Sequence, residues 1–194
     1  MLMSEDSADV AAAAVTVAGN LDRPIVLVGL MGAGKSCVGR RLGARLGLPF
    51  LDADTEFEAA AGCTIADYFA CHGEAAFREG ERKVIARLLD GPRCVLATGG
   101  GAFCDPRTRA RIKAGALSVW LRAELDLLVK RTAGRDHRPL LKQGDPREIL
   151  GRLMAIRYPL YAEADLTVDT TDEPADNTVD QALAALARYL ERAR

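Results

Sequence analysis

The sequence has no excess of positive charge: 26 Lys and Arg stand against 27 Asp and Glu, a net charge of −1 over 194 residues. Without overall basicity, neither a nucleic-acid backbone nor an anionic membrane surface is favoured as a partner, and any positive field must come from local clusters of arginine. No uninterrupted apolar run approaches the ~20 residues that a bilayer span needs. The five cysteines, Cys37, Cys63, Cys71, Cys94 and Cys104, are odd in number and contain no Cys-x-x-Cys pair. That argues against a disulfide framework and a tetrahedral zinc site, and for thiols kept reduced in a cytosol. Residues 1–22 lack the basic start of a secretory signal and the arginines of a transit peptide. Their opening stretch, Ser4-Glu5-Asp6-Ser7-Ala8-Asp9, is acidic and small, and Val15, Thr16, Val17 and Gly19 extend no clear pattern. A flexible tail over 1–22 and a cytoplasmic location are expected.

What is present is a folding chain, 49% hydrophobic and 27% charged. The remainder, 23–194, is long enough to bury one core without disulfides. Short apolar runs at 25–28, 49–52, 93–97, 117–121 and 165–168 read as strands, and helical patterns lie between them. Val38, Leu42 and Leu46 recur every four residues. Helical patterns cover about 55–89, and Asp105-Pro106 opens another helix with a capping residue and a proline tolerated at its first position. Further helices follow at about 124–133 and around Val179, Leu183, Leu186 and Leu190. Strands alternating with helices give an α/β fold, three layers with a parallel five-stranded sheet in the middle. Ligands of such a sheet gather beyond the carboxyl ends of the strands.

The residues that suggest chemistry follow those strand ends. Gly29-Leu30-Met31-Gly32-Ala33-Gly34-Lys35-Ser36 matches the phosphate-binding loop, or P-loop, pattern GxxxxGK[ST] between a strand and a helix. Glycines let backbone N–H groups turn toward phosphates, the lysine reaches the outer phosphates and the hydroxyl can ligate Mg²⁺. Cys37 follows in the first helical turn, where the helix dipole can lower a thiol's pKa. The Asn-Lys-x-Asp and Asp-x-x-Gly patterns of signalling GTPases are absent. A small-molecule phosphotransferase remains, and it needs a base, an acceptor site and a cover.

Asp52 and Asp54, two apart at a strand end, point to one side. One can join a Mg²⁺ shell while the other accepts a hydroxyl proton; the alternative is that Asp54 caps the helix that starts at Thr55. Arg78 and Glu81 are three apart and can pair, presenting a guanidinium to a substrate carboxylate or forming a solvated ion pair. Gly99-Gly100-Gly101 suits either close approach of a ligand or a flexible turn. The third strand ends at Cys94-Val95-Leu96-Ala97 without an acidic residue. That adds weight to Asp52 as the metal-shell carboxylate. The basic, Gly- and Pro-interrupted stretch around 131–143 reads either as a mobile lid or as a solvated basic loop, and Arg157 is a second candidate anion clamp; Tyr158 and Tyr161 read as core or helix-end packing.

In order along about 24–190, the P-loop, Asp52-x-Asp54, Phe77-Arg78-x-x-Glu81, Gly99-Gly100-Gly101, Arg138-Pro139-Leu140-Leu141 and Arg157-x-x-Leu160-Tyr161 together resemble the shikimate kinase family. The resemblance implies a P-loop kinase fold with a lid and transfer of the γ-phosphate of ATP, with Mg²⁺, to the 3-hydroxyl of shikimate. It implies Asp54 as base or orienting group, with Lys35 and Arg138 beside it as catalytic groups, and Ser36 and Asp52 at the metal. Gly32, Ala33, Gly34, Lys35, Ser36 and Cys37 would bind ATP, with Arg131 on the adenine and Arg138 reaching in from the lid. Asp54, Arg78, Gly100, Gly101 and Arg157 would bind shikimate. Val168-Asp169-Thr170-Thr171-Asp172-Glu173-Pro174 matches the family's adenine loop loosely. The implied partners are ATP, ADP and shikimate, bound by a monomer that engages no nucleic acid and no membrane.

Overall fold

The computed structural model describes residues 5–133 and 144–192. Five strands form one parallel sheet in the order β2-β3-β1-β4-β5. They are β1 (Ile25–Val28), β2 (Phe50–Asp52), β3 (Val95–Ala97), β4 (Leu117–Ala123) and β5 (Leu166–Thr170). Every strand expected from the sequence is present, β1 with the same ends and the others with ends shifted by at most two residues. All residues of β1 are buried, which is why it reads as a continuous Ile-Val-Leu-Val run rather than an alternating one. Ile25 pairs with Val95 on one side and Leu117 on the other, so β1 is the central strand and the P-loop leaves from the middle of the sheet.

The helices cover both faces. They are α1 (Glu5–Asn20), α2 (Lys35–Leu46), α3 (Ala53–Ala61), α4 (Ile65–Leu89), α5 (Pro106–Gly115), α6 (Leu125–Thr132), α7 (Pro146–Tyr161) and α8 (Ala175–Arg192). The helical patterns expected over about 55–89 are two helices, α3 and α4. Gly62 ends α3 in the left-handed conformation, and Gly73 kinks α4 at φ 77 and ψ 175. The helix α7 was not anticipated, although it begins as α5 does: Asp145 accepts from the Arg147 N–H and Pro146 takes the first position. No helix among the described residues is long and apolar enough to cross a membrane.

The expected flexible tail is a correction. Residues 5–20 form α1, which packs against α8 and α2. Val10, Ala13, Ala14, Val17 and Leu21 recur at helical spacing, with Val17 and Leu21 fully buried in the core. Two of these five are alanines and further alanines adjoin them at 11 and 12, so the periodicity is faint in the sequence. Small side chains nevertheless let the helix sit close against its neighbours, and burial then supplies what propensity does not. Of the expected lid at 131–143, Arg131 and Thr132 close α6, while 134–143, including Arg138, lie outside the described residues.

Candidate active site

The P-loop connects β1 to α2. Gly34 is the N-cap of α2 and sits at φ 93, ψ 13, a left-handed conformation that glycine alone adopts without strain. Because glycine has no side chain, nothing covalently attached caps the helix, and its first-turn N–H groups face the loop where an anion can take them. Lys35 Nζ donates to the carbonyls of Gly29 at 2.8 Å and Leu30 at 3.0 Å. The ammonium is thus held inside the loop rather than extended into solvent. Gly32, Ala33 and Gly34 line the same turn, and Cys37 lies in the first turn of α2, its sulfur 2.7 Å from Arg41 Nη1.

Asp52 ends β2 and does two things at once. Its Oδ2 accepts from the Ser36 hydroxyl at 2.8 Å, and its Oδ1 accepts from the Asp54 N–H at 3.1 Å. The cap of α3 is therefore Asp52 and not Asp54, because the helix starts two residues earlier than the sequence suggested. Two hard oxygen donors from separate elements, Ser36 and Asp52, fit Mg²⁺, which takes few protein ligands and keeps waters and phosphates for the rest. Among the described residues, no group of three or more His, Cys, Asp and Glu side chains could hold a metal.

With the cap role taken by Asp52, the Asp54 side chain is available to the cleft. Solvent reaches it from the open side, yet protein surrounds its other sides. Its carboxyl is pushed up from 3.8 to about 6, mainly by that desolvation and then by the charges of Asp52 and Glu81; Lys35 pulls the other way. A carboxylate that titrates near 6 remains ionised at neutral pH and is basic enough to take a proton.

Three glycines bring the rest together. A methyl group built on Gly99 would lie 2.8 Å from Asp54 Oδ1 and 3.0 Å from Glu81 Oε1. One on Gly100 would lie 3.3 Å from Arg157 Nη1, and one on Gly101 2.7 Å from both terminal nitrogens of Arg78. Two of these three positions cannot hold a side chain without displacing a charged group. Close approach, rather than turn flexibility, accounts for the run. Arg78 is held from behind by Glu81 at 2.7 Å, a carboxylate only 4% exposed. Burial pushes Glu81 up, while Arg78 draws it back toward the charged form. This is the pairing the spacing suggested, and it is not a solvated ion pair.

Arg131 leaves the end of α6, lies against Gly34 and donates to the Thr171 carbonyl in the loop after β5. It therefore joins the P-loop to the loosely matched 168–174 segment. Two groups escaped the sequence reading. The Tyr161 hydroxyl donates to the Gly100 carbonyl, and Cys104 Sγ lies 3.9 Å from the same oxygen. The Tyr158 hydroxyl donates to the Ala123 carbonyl at the end of β4. Neither tyrosine is a packing residue only, but nothing in their spacing reveals a carbonyl partner.

The cleft thus has a phosphate cradle on one side. On the other it has a glycine floor flanked by two guanidinium groups and one basic carboxylate. Such a site can hold an anionic polyol and deprotonate one of its hydroxyls toward a phosphate. Comparison with known proteins identifies the family. The family model for shikimate kinase matches residues 31–187. A shikimate kinase of Paramagnetospirillum magneticum is 68% identical over 190 residues, covering 97% of each chain. One from Rhodopseudomonas palustris is 59% identical over 169 residues, 87% of this chain and 83% of that protein. Among solved structures, shikimate kinase from Acinetobacter baumannii in complex with shikimate superposes with a TM-score of 0.82. It is 39% identical and covers 91% of this chain and 98% of that one.

Proposed function

The chain belongs to the shikimate kinase family, and from that premise we propose how its own residues carry out the reaction. The enzyme transfers the γ-phosphate of ATP to the 3-hydroxyl of shikimate, a step in the biosynthesis of chorismate and aromatic amino acids. One observation carries the assignment of roles. The Gly99–Gly101 turn gathers Asp54, Arg78 and Arg157 against a single stretch of backbone beside the P-loop. Shikimate is a ring with one carboxylate and several hydroxyls. Two guanidinium groups suit its carboxylate, the flat glycine backbone suits its ring, and a basic carboxylate suits the hydroxyl that reacts.

In this reading the N–H groups at the start of α2 bind the phosphates, and Lys35 neutralises charge on the outer ones. Ser36 and Asp52 would hold Mg²⁺, which when bound offsets negative charge on the transferring phosphate. Arg131 borders the adenine; the Arg138 expected at the phosphates lies outside the described residues. Arg78 and Arg157 clamp the acceptor carboxylate, Gly100 and Gly101 line the ring, and Glu81 keeps Arg78 in place. Asp54 hydrogen-bonds the 3-hydroxyl. As the hydroxyl oxygen bonds to the γ-phosphorus, the bond to ADP breaks with its electron pair, and the hydroxyl proton passes to Asp54. Because phosphoryl transfer is loose, that proton moves late and orientation comes first. We place the enzyme in the cytoplasm as a monomer.

A coupled ADP-release assay with MgATP tests the substrate. Shikimate should be phosphorylated, and gluconate and nucleoside monophosphates should not. A rate with gluconate equal to that with shikimate overturns the reading of the clamp. Arg78→Ala tests the clamp itself. Hydrogen bonds to charged groups contribute roughly 1.5–3 kcal/mol each, so shikimate binding should weaken by ~10-fold or more while MgATP affinity holds. Calorimetry showing the larger loss for ATP would remove Arg78 from the acceptor site.

A further inference from the structure

The glycine floor is not held by its own turn alone. Tyr161 is fully buried, and its hydroxyl donates to the carbonyl of Gly100, 61 residues away in sequence. Arg157 stands four residues earlier on α7, one helical turn back on the same face. Gly100 lies between that arginine and the P-loop: a methyl group there would sit 3.3 Å from Arg157 Nη1, 3.6 Å from Gly29 O and 3.8 Å from Met31 N. A shift of Gly100 relative to α7 therefore changes where the guanidinium stands over the floor.

We propose that Tyr161 is a positioning residue for the acceptor: its hydroxyl ties α7 to Gly100 and so sets Arg157 against the glycine floor. The inference rests on the reading of Arg157 as a carboxylate clamp. Three features support it. The Tyr161 ring is confined by Trp120 and Tyr158, whose centroids lie 6.0 Å and 6.2 Å away, so the hydroxyl has little choice of direction. Burial pushes its pKa far up, with nearby Arg157 pulling back, so it remains a donor throughout the neutral range. The second donor to the same carbonyl is a thiol at 3.9 Å, too weak and distant to replace it.

Tyr161→Phe removes one oxygen and keeps the ring. The shikimate KM should rise by about 3–10-fold, the loss expected for one hydrogen bond. Turnover at saturation and the MgATP KM should remain within about twofold of the parent. Tyr158→Phe removes the neighbouring hydroxyl, which is anchored on β4 rather than on the acceptor floor. It should leave the shikimate KM unchanged even where it lowers the melting temperature. In an Arg157→Ala background the effect of Tyr161→Phe should disappear, because positioning acts through Arg157. An unchanged shikimate KM in Tyr161→Phe, or a rise of equal size with and without Arg157, overturns the inference and leaves the clamp standing. An unchanged shikimate KM in Arg157→Ala overturns the clamp itself and the inference with it.

Discussion

Asp54→Asn should bind MgATP as the parent does and turn over ~10²–10⁴-fold more slowly, the range for removal of a positioned general base. Asparagine keeps the shape and can still hydrogen-bond the hydroxyl, but it offers no oxygen basic enough to take the proton. The competing explanation for Asp54, a helix cap, is excluded by geometry, because Asp52 accepts the Asp54 N–H and caps α3. The substitution therefore leaves the cap intact, and normal turnover would send the search for a base elsewhere. The parent's kcat/KM should fall as pH drops through about 6, where Asp54 gains its proton. That acid limb should be missing from the residual activity of the variant.

The same residue predicts a stability change of the opposite sign. Folding raises the Asp54 carboxyl from 3.8 to about 6, so the folded state binds its proton more readily than the unfolded chain does. Its contribution to stability is fully present below 3.8 and is lost as pH rises through about 6. Asparagine carries no charge to desolvate and should melt higher than the parent at pH 7–8, with the gap closing toward pH 4. Solvent reaches the carboxylate, so the gain should stay near 1 kcal/mol or less, about 2–4 °C. A variant that melts lower at pH 8 would show that the charged carboxylate is stabilised by contacts other than those described.

Lys35→Ala should lower turnover by on the order of 10²-fold or more, the usual cost of removing an oriented group that stabilises transition-state charge. The ammonium is already gathered onto the P-loop by the Gly29 and Leu30 carbonyls. Little reorganisation is needed when phosphates arrive, and that preorganisation is what alanine forfeits. The residue is half-buried at the mouth rather than part of the core, so the melting temperature should change far less than the rate. Turnover within a few-fold of the parent would remove Lys35 from the catalytic machinery.

The parts of the site legible in the sequence are those set by near neighbours. The glycine-rich turn, Lys35 and Ser36 are contiguous, and their meaning depends only on following a strand and opening a helix. Arg78 and Glu81 are three apart on one helix, so their pairing follows from helical geometry. The strands β1, β3 and β4 were legible because burial on both faces leaves a nearly continuous apolar run. Where sequence reading fell short, the deciding contact spans elements. Asp52 became the cap and the partner of Ser36, 16 residues away, because β2 and the P-loop end on the same edge of the sheet. The glycine run was ambiguous until Asp54, Glu81, Arg157 and Arg78 were seen crowding it. Tyr161 took its role from a carbonyl 61 residues distant, and α1 took its order from α8 at the other end of the chain. Spacing fixes what residues a few positions apart can do, since backbone geometry relates them directly. Strand order and helix docking relate the others, and those are settled by which apolar faces bury one another best across the whole chain.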